Sequence, residues 1–116
     1  MDPKLVLEEL SGPQRALREA IPQAWDGFAQ THRAALGDGA LPRRVKELIA
    51  VAIAVSDGCD GCLASHTRGA VRAGATREEF TEMLAVALLM NGGPATVWGP
   101  RALEMFDSYA TTRTGD

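Results

Sequence analysis

Residues 48–55 form an unbroken apolar run, Leu-Ile-Ala-Val-Ala-Ile-Ala-Val, and residues 83–90 form a second, Met-Leu-Ala-Val-Ala-Leu-Leu-Met. Each run is far short of the roughly 20 residues that a bilayer-spanning helix needs. Each is apolar on nearly every face, so it must be covered by a core or by another chain. Periodicity alone does not separate strand from helix in such a run. Val51, Ile53 and Val55 are β-branched and would suit a strand. The interspersed alanines, and a segment that extends from Pro42 to about Ser56, decide for a helix. Composition agrees, since 46% of the 116 residues are hydrophobic but only 5% are aromatic. The core must be built from Ala, Leu, Val and Ile, without the β-branched and aromatic density of a sandwich. The expected fold class is all-α.

Turn and capping signals divide the chain into a bundle of five to six helices. Residues 5–10 read as a short helix ended by Ser11-Gly12-Pro13. Leu17, Ile21, Trp25, Phe28 and His32 recur in steps of three and four, the period of one helix face. Pro22 marks a break or a first helical turn within that stretch, and Gly37-Asp38-Gly39 ends it. Pro42 opens the next helix, whose first turns carry Arg43, Arg44, Lys46 and Glu47. Asp57-Gly58 is a turn, after which a helix runs from about Cys59 to Ala73 and stops at Gly74. Thr76-Arg77-Glu78-Glu79 has the form of a capping box, and its helix ends before Asn91-Gly92-Gly93. Pro94 begins the last helix, carrying Trp98, Leu103, Phe106 and Tyr109, with Gly99-Pro100 as a point where it can kink. With no repeat or linker in view, residues 1–110 make one domain and residues 111–116 a frayed polar tail. Two helices apolar all round exceed what so small an interior can cover, so a homo-oligomer is expected.

Charge narrows the function classes. The net charge is −3, from 12 basic and 15 acidic residues, with no basic run or basic-aromatic patch. Nucleic-acid binding is not expected. The opening Met1-Asp2-Pro3-Lys4 and the acidic stretch behind it lack the layout of a signal peptide. A cytoplasmic location without a membrane partner is therefore expected.

The chemistry concentrates in Cys59-Asp60-Gly61-Cys62-Leu63-Ala64-Ser65-His66. Two cysteines three residues apart cannot close a long loop, and outside a secreted chain such a pair more often does redox chemistry or binds metal. At a helix start, unpaired backbone N–H groups and the positive end of the helix dipole stabilise a thiolate. Position at the helix start alone would make Cys59 the more exposed nucleophile. His66 follows Cys62 by four residues and shares its helix face, where it can take the thiol proton. Asp60 opposes this, because its charge raises a nearby thiol pKa. If helices 42–56 and 59–73 form an antiparallel hairpin about Asp57-Gly58, Glu47 lies about 13 Å from the turn and His66 about 10 Å. A Glu47–His66 hydrogen bond across the hairpin then becomes geometrically natural, orienting the imidazole and favouring its protonated form.

Glu47, eleven residues, Cys59, two residues, Cys62, three residues, His66: this spacing resembles the signature of alkylhydroperoxidase D-like proteins of the carboxymuconolactone decarboxylase superfamily. The resemblance covers roughly residues 42–106, including Ala73-Gly74-Ala75-Thr76-Arg77-Glu78-Glu79-Phe80. It implies an all-α fold, assembly into trimers or hexamers, and peroxide reduction with no cofactor or metal. It further implies that Cys62 attacks the hydroperoxide, Cys59 resolves the sulfenic acid to a disulfide, and Glu47 and His66 relay protons. A dithiol reductant such as a dihydrolipoyl or thioredoxin-like protein would reset the pair. The sequence departs from the pattern at Gly61, where a histidine or aromatic residue is frequent. That removes a proton carrier or a substrate wall.

Two other readings compete. A cofactor-free decarboxylation, as in other members of the superfamily, needs no cysteine pair. An oligomeric redox sensor would use the pair only to switch conformation. A zinc site built from Cys59, Cys62, His66 and either His32 or Glu47 lacks the second closely spaced ligand pair usual in structural zinc sites. Among the remaining residues, His32 reads as a core or interface histidine on the Trp25/Phe28 stripe. Arg43, Arg44 and Lys46 read as a solvated face. Met83, Met90 and Met105 read as core filler, and Trp98 as packing.

Overall fold

The computed structural model describes residues 1–113, which form six helices and no strand. In order they are α1 (Pro3–Ala20), α2 (Pro22–Leu36), α3 (Arg43–Asp57), α4 (Asp60–Arg72), α5 (Arg77–Asn91) and α6 (Ala95–Arg113). No helix among the described residues is long and apolar enough to cross a membrane.

Helix α4 lies at the centre, packed by α1, α3 and α6, while α5 closes the bundle against α3 and α6. Its buried residues Leu63, Ala64, Ala70 and Val71 meet Val51, Ala54 and Val55 of α3 and Ala102, Met105 and Phe106 of α6. Small residues let the helices approach closely; the few large ones fill the remaining gaps. Phe80 of α5 and Phe106 pack with ring centroids 4.6 Å apart. The Tyr109 hydroxyl donates to the Ala64 carbonyl at 3.0 Å and ties α6 to α4. That partner is what allows a phenol to be buried here. Burial raises the Tyr109 pKa, while the nearby Arg68 and Arg72 act in the opposite direction.

The middle of the chain follows its local signals. Cys59 is the N-cap of α4 and Ala73 its C-cap, with Gly74 next. Thr76 and Glu79 make both bonds of the capping box on α5. Pro42 is the N-cap of α3 but supplies no side-chain cap; Asp38 Oδ1 accepts from the Arg43 N–H at 2.7 Å instead.

The N-terminal third differs from expectation. The helix expected over residues 5–10 continues through Ser11-Gly12-Pro13 to Ala20. Pro13 removes the bond to the Glu9 carbonyl, but Glu9 is exposed, so water can satisfy that oxygen. Val6 and Leu7 of α1 pack against the core, which holds the helix in place. The single face read from Leu17 to His32 is broken at Ile21, the C-cap of α1 and N-cap of α2, and Pro22 starts α2. Leu17, Ile21 and Phe28 are exposed, and only Leu36 of α2 is buried.

At the other end, α6 includes Thr111 and Thr112, whose hydroxyls bond back to the Asp107 and Ser108 carbonyls. The first part of the expected tail is therefore helical; residues 114–116 lie outside the described residues. The two all-apolar helices are only half covered. Ile49 and Ile53 of α3 and Val86, Leu88, Leu89 and Met90 of α5 remain exposed. Met90, expected in the core, is 79% exposed; Met105 is fully buried and Met83 packs at the core's edge.

Candidate active site

Helices α3 and α4 form a tight hairpin around Gly58. Gly58 has φ +67°, and a Cβ there would sit 3.1 Å from Trp98 Nε1. The position therefore favours glycine on both backbone and packing grounds. With so short a turn, residues equally far from it face one another. Glu47 Oε1 lies 2.9 Å from His66 Nδ1, so the hydrogen bond anticipated from the helix heights is present. Glu47 is 2% exposed, and a buried carboxylate without a partner would be strongly unfavourable. Its partner imidazole is 20% exposed and forms part of a cleft wall.

Gly69, one turn beyond His66, is what makes room for this pair. A Cβ there would overlap Glu47 Oε2. The carboxylate is thus held between the imidazole and bare α4 backbone. A glycine inside a helix is a signal of close approach, but here the sequence pattern gave no indication of what approached.

The two sulfurs stand at the start of α4, joined as a disulfide with Cα atoms 5.3 Å apart. The Cys62 N–H points at Cys59 Sγ, 3.2 Å away. Cys62 is exposed and Cys59 half-buried, the reverse of what position at the helix start suggests. The cap residue lies beside the Gly58 turn covered by Trp98, whereas Cys62 is on the outer side of the first turn. Asp60 turns its carboxylate onto the Gly61 N–H at 2.6 Å, spending part of its charge on the helix terminus. At Gly61 a Cβ would meet Leu10 Cδ1 of α1 at 2.7 Å. The space that a larger residue would fill is occupied by α1.

His32 is half-buried rather than part of the core. Its ring stacks on His66, with centroids 5.5 Å apart and planes at 25°. The chain has two histidines, and both line the same cleft of about 390 Å³. That scarcity was the available signal. Of the supposed solvated face, Arg43 borders this cleft, Arg44 pairs with Glu79 at 3.0 Å, and Lys46 Nζ donates to the Gly37 carbonyl. Together with Asp38, Lys46 fixes the loop that carries α2, and hence His32, over α4. Ser65, Arg68 and Arg72 complete the polar wall.

The fold and this geometry define a class: an all-helical protein with a CxxC disulfide at a helix mouth, backed by a buried carboxylate–imidazole pair. Residues 19–105 match the carboxymuconolactone decarboxylase family, and the chain belongs to that family. It is 46% identical over 107 residues to an uncharacterized protein of Cupriavidus necator, covering 92% of this chain and 95% of that one. It is 40% identical over 82 residues to uncharacterized protein 4 of the cox locus of Paracoccus denitrificans, covering 71% and 74%. A crystal structure of an apo carboxymuconolactone decarboxylase family protein from Legionella pneumophila superposes with a TM-score of 0.89, at 36% identity and 93% and 96% coverage. A putative carboxymuconolactone decarboxylase from Burkholderia xenovorans shares the fold, with a TM-score of 0.78, 24% identity and 86% and 79% coverage.

Proposed function

We propose that the protein is a thiol-dependent peroxidase that reduces hydroperoxides through Cys59 and Cys62. The observation that carries this reading is the buried Glu47 bonded to His66, one helical turn from an exposed cysteine whose partner sulfur is at bonding distance.

In the reduced state His66 takes the Cys62 proton, and the α4 terminus stabilises the thiolate. The thiolate attacks one peroxide oxygen; the O–O bond breaks, and the departing alkoxide takes a proton from His66 to leave as an alcohol. Cys62 is then a sulfenic acid. The Cys59 thiol displaces its hydroxyl as water and closes the disulfide. An external dithiol, from a dihydrolipoyl or thioredoxin-like protein, then reduces that disulfide and is itself oxidised. Glu47 acts through His66, holding the ring in place for these proton transfers.

The family name supplies a second reading, cofactor-free decarboxylation, in which the cleft acts without the sulfurs. A peroxide-consumption assay with dihydrolipoamide separates the two. The native chain should turn over, and Cys62→Ser should abolish turnover. Lactone decarboxylation that Cys62→Ser leaves intact, without peroxide turnover by the native chain, would favour the decarboxylase. A chain that reacts once with peroxide and never recycles would be a sensor.

Self-association belongs to this proposal, as a trimer or hexamer. Leu89 and Met90 at the end of α5 are each 79% exposed, beside Val86 and Leu88. Light scattering after size exclusion should find more than one chain per particle. Leu89→Glu with Met90→Glu should shift the particle toward a single chain, because two buried charges disfavour an apolar contact. A monomeric native chain would reject the assembly.

A further inference from the structure

Three arginines border the cleft that opens on Glu47 and His66: Arg43 from the first turn of α3, and Arg68 and Arg72 from α4, which stand between this cleft and a second cavity beside α1 and Tyr109. None of the three makes an ion pair among the described residues, where the pairs are Arg44–Glu79, Arg77–Asp107, His66–Glu47 and the N-terminus with Glu104. Glu47 is the carboxylate on the cleft wall, and it is bonded to His66. The chain as a whole carries −3, so this concentration of positive charge runs against its average. Like charges gathered around one cavity repel unless an anion sits among them.

The cations also have a direction. Ser65, His66, Gly69 and Ala73 border the cleft from one side of α4, and Cys62 precedes them on the same face. Arg72 follows Cys62 by ten residues, about 15 Å along the axis. Arg43 precedes Glu47 by four residues on the antiparallel α3, about 6 Å further toward the same end. The sulfurs therefore lie at one end of the run, His66 and Arg68 midway, and Arg43 and Arg72 at the other. Arginine side chains reach several ångströms back toward His66, and their fork suits a carboxylate.

We infer that this cleft selects hydroperoxides that carry a carboxylate, held by Arg43 and Arg72 with Arg68 beside them, while the peroxide oxygen reaches Cys62 past His66. The inference rests on the peroxidase reading for the reacting group, and on the cleft itself for the anion.

The experiment compares cumene hydroperoxide with its para-carboxylate, with dihydrolipoamide as reductant, and measures binding of 4-isopropylbenzoate and 4-isopropylbenzamide by calorimetry. The native chain should prefer the carboxylated peroxide by about tenfold or more in kcat/KM at low salt, and the preference should shrink as ionic strength rises. It should bind the benzoate and not the amide. Arg43→Gln with Arg72→Gln should bring the ratio toward one and weaken benzoate binding. Arg15→Gln with Arg18→Gln, the same charge change on the exposed face of α1, should preserve both. A native ratio near one without benzoate binding overturns the inference, as does a ratio that the Arg43/Arg72 variant leaves intact. If neither peroxide is turned over but the benzoate binds through these arginines, the anion site stands and the peroxidase reading falls. If there is neither turnover nor binding, both fall.

Discussion

Gly69→Ala is expected to unfold more easily than the native chain and to lose most of its peroxide turnover. The methyl group would occupy the space of Glu47 Oε2. Glu47 is 2% exposed, so it would have to move against packed helix rather than into solvent. Either the carboxylate leaves His66 or α3 and α4 separate. Overpacking costs about 1–3 kcal/mol, and breaking a buried pair raises the total toward about 3–5 kcal/mol. For a domain of this size the melting temperature should fall by on the order of 10 °C. Gly27→Ala provides the contrast. Gly27 is interior to α2 with nothing within 4 Å of an added Cβ. There the same change should stabilise by up to about 1 kcal/mol. A Gly69→Ala protein that melts with the native chain and keeps its rate would mean that the carboxylate does not lie against α4.

The contrast among these glycines shows what the sequence makes legible. Boundaries of α3, α4 and α5 could be read because Gly58, Gly74 and the Thr76–Glu79 box act within a few residues of themselves. The Glu47–His66 bond could be anticipated for a related reason. A hairpin with so short a turn turns spacing along the chain into height along two helices, and matched heights face each other. Pro13 misled because the penalty of a helical proline depends on whether the carbonyl it abandons can reach water, which only the packing of α1 decides. Periodicity could not place His32 and Arg43 at the cleft, for a different reason. Their approach to α4 is set by the path of the loop between α2 and α3, pinned by Asp38 and Lys46. Nothing periodic encodes such a path. Exposure of Leu89 and Met90 follows from chain size: a bundle this small has no further layer to cover α5.

Glu47→Gln should separate fold from chemistry. The amide is close to the carboxylate in shape, and its oxygen can still accept from the His66 Nδ1–H, so the contact of 2.9 Å can survive. Removing a buried charge also removes its desolvation penalty, so stability should change by only about 1 kcal/mol in either direction. What is lost is the negative charge that favours the imidazolium formed when Cys62 gives up its proton. Turnover of hydroperoxide should fall about a hundredfold, within the range of positioned acid–base groups. Glu47→Ala should behave differently, opening a void beside Gly69 and leaving the ring without its partner, with a loss of about 2–4 kcal/mol. A purely structural Glu47 differs in one readout of the glutamine variant: intact melting comes together with intact rate. Urea denaturation and steady-state peroxide consumption on the two variants therefore read the two roles independently. A glutamine variant as active as the native chain would remove Glu47 from the proton relay, leaving it only the task of holding His66 in place.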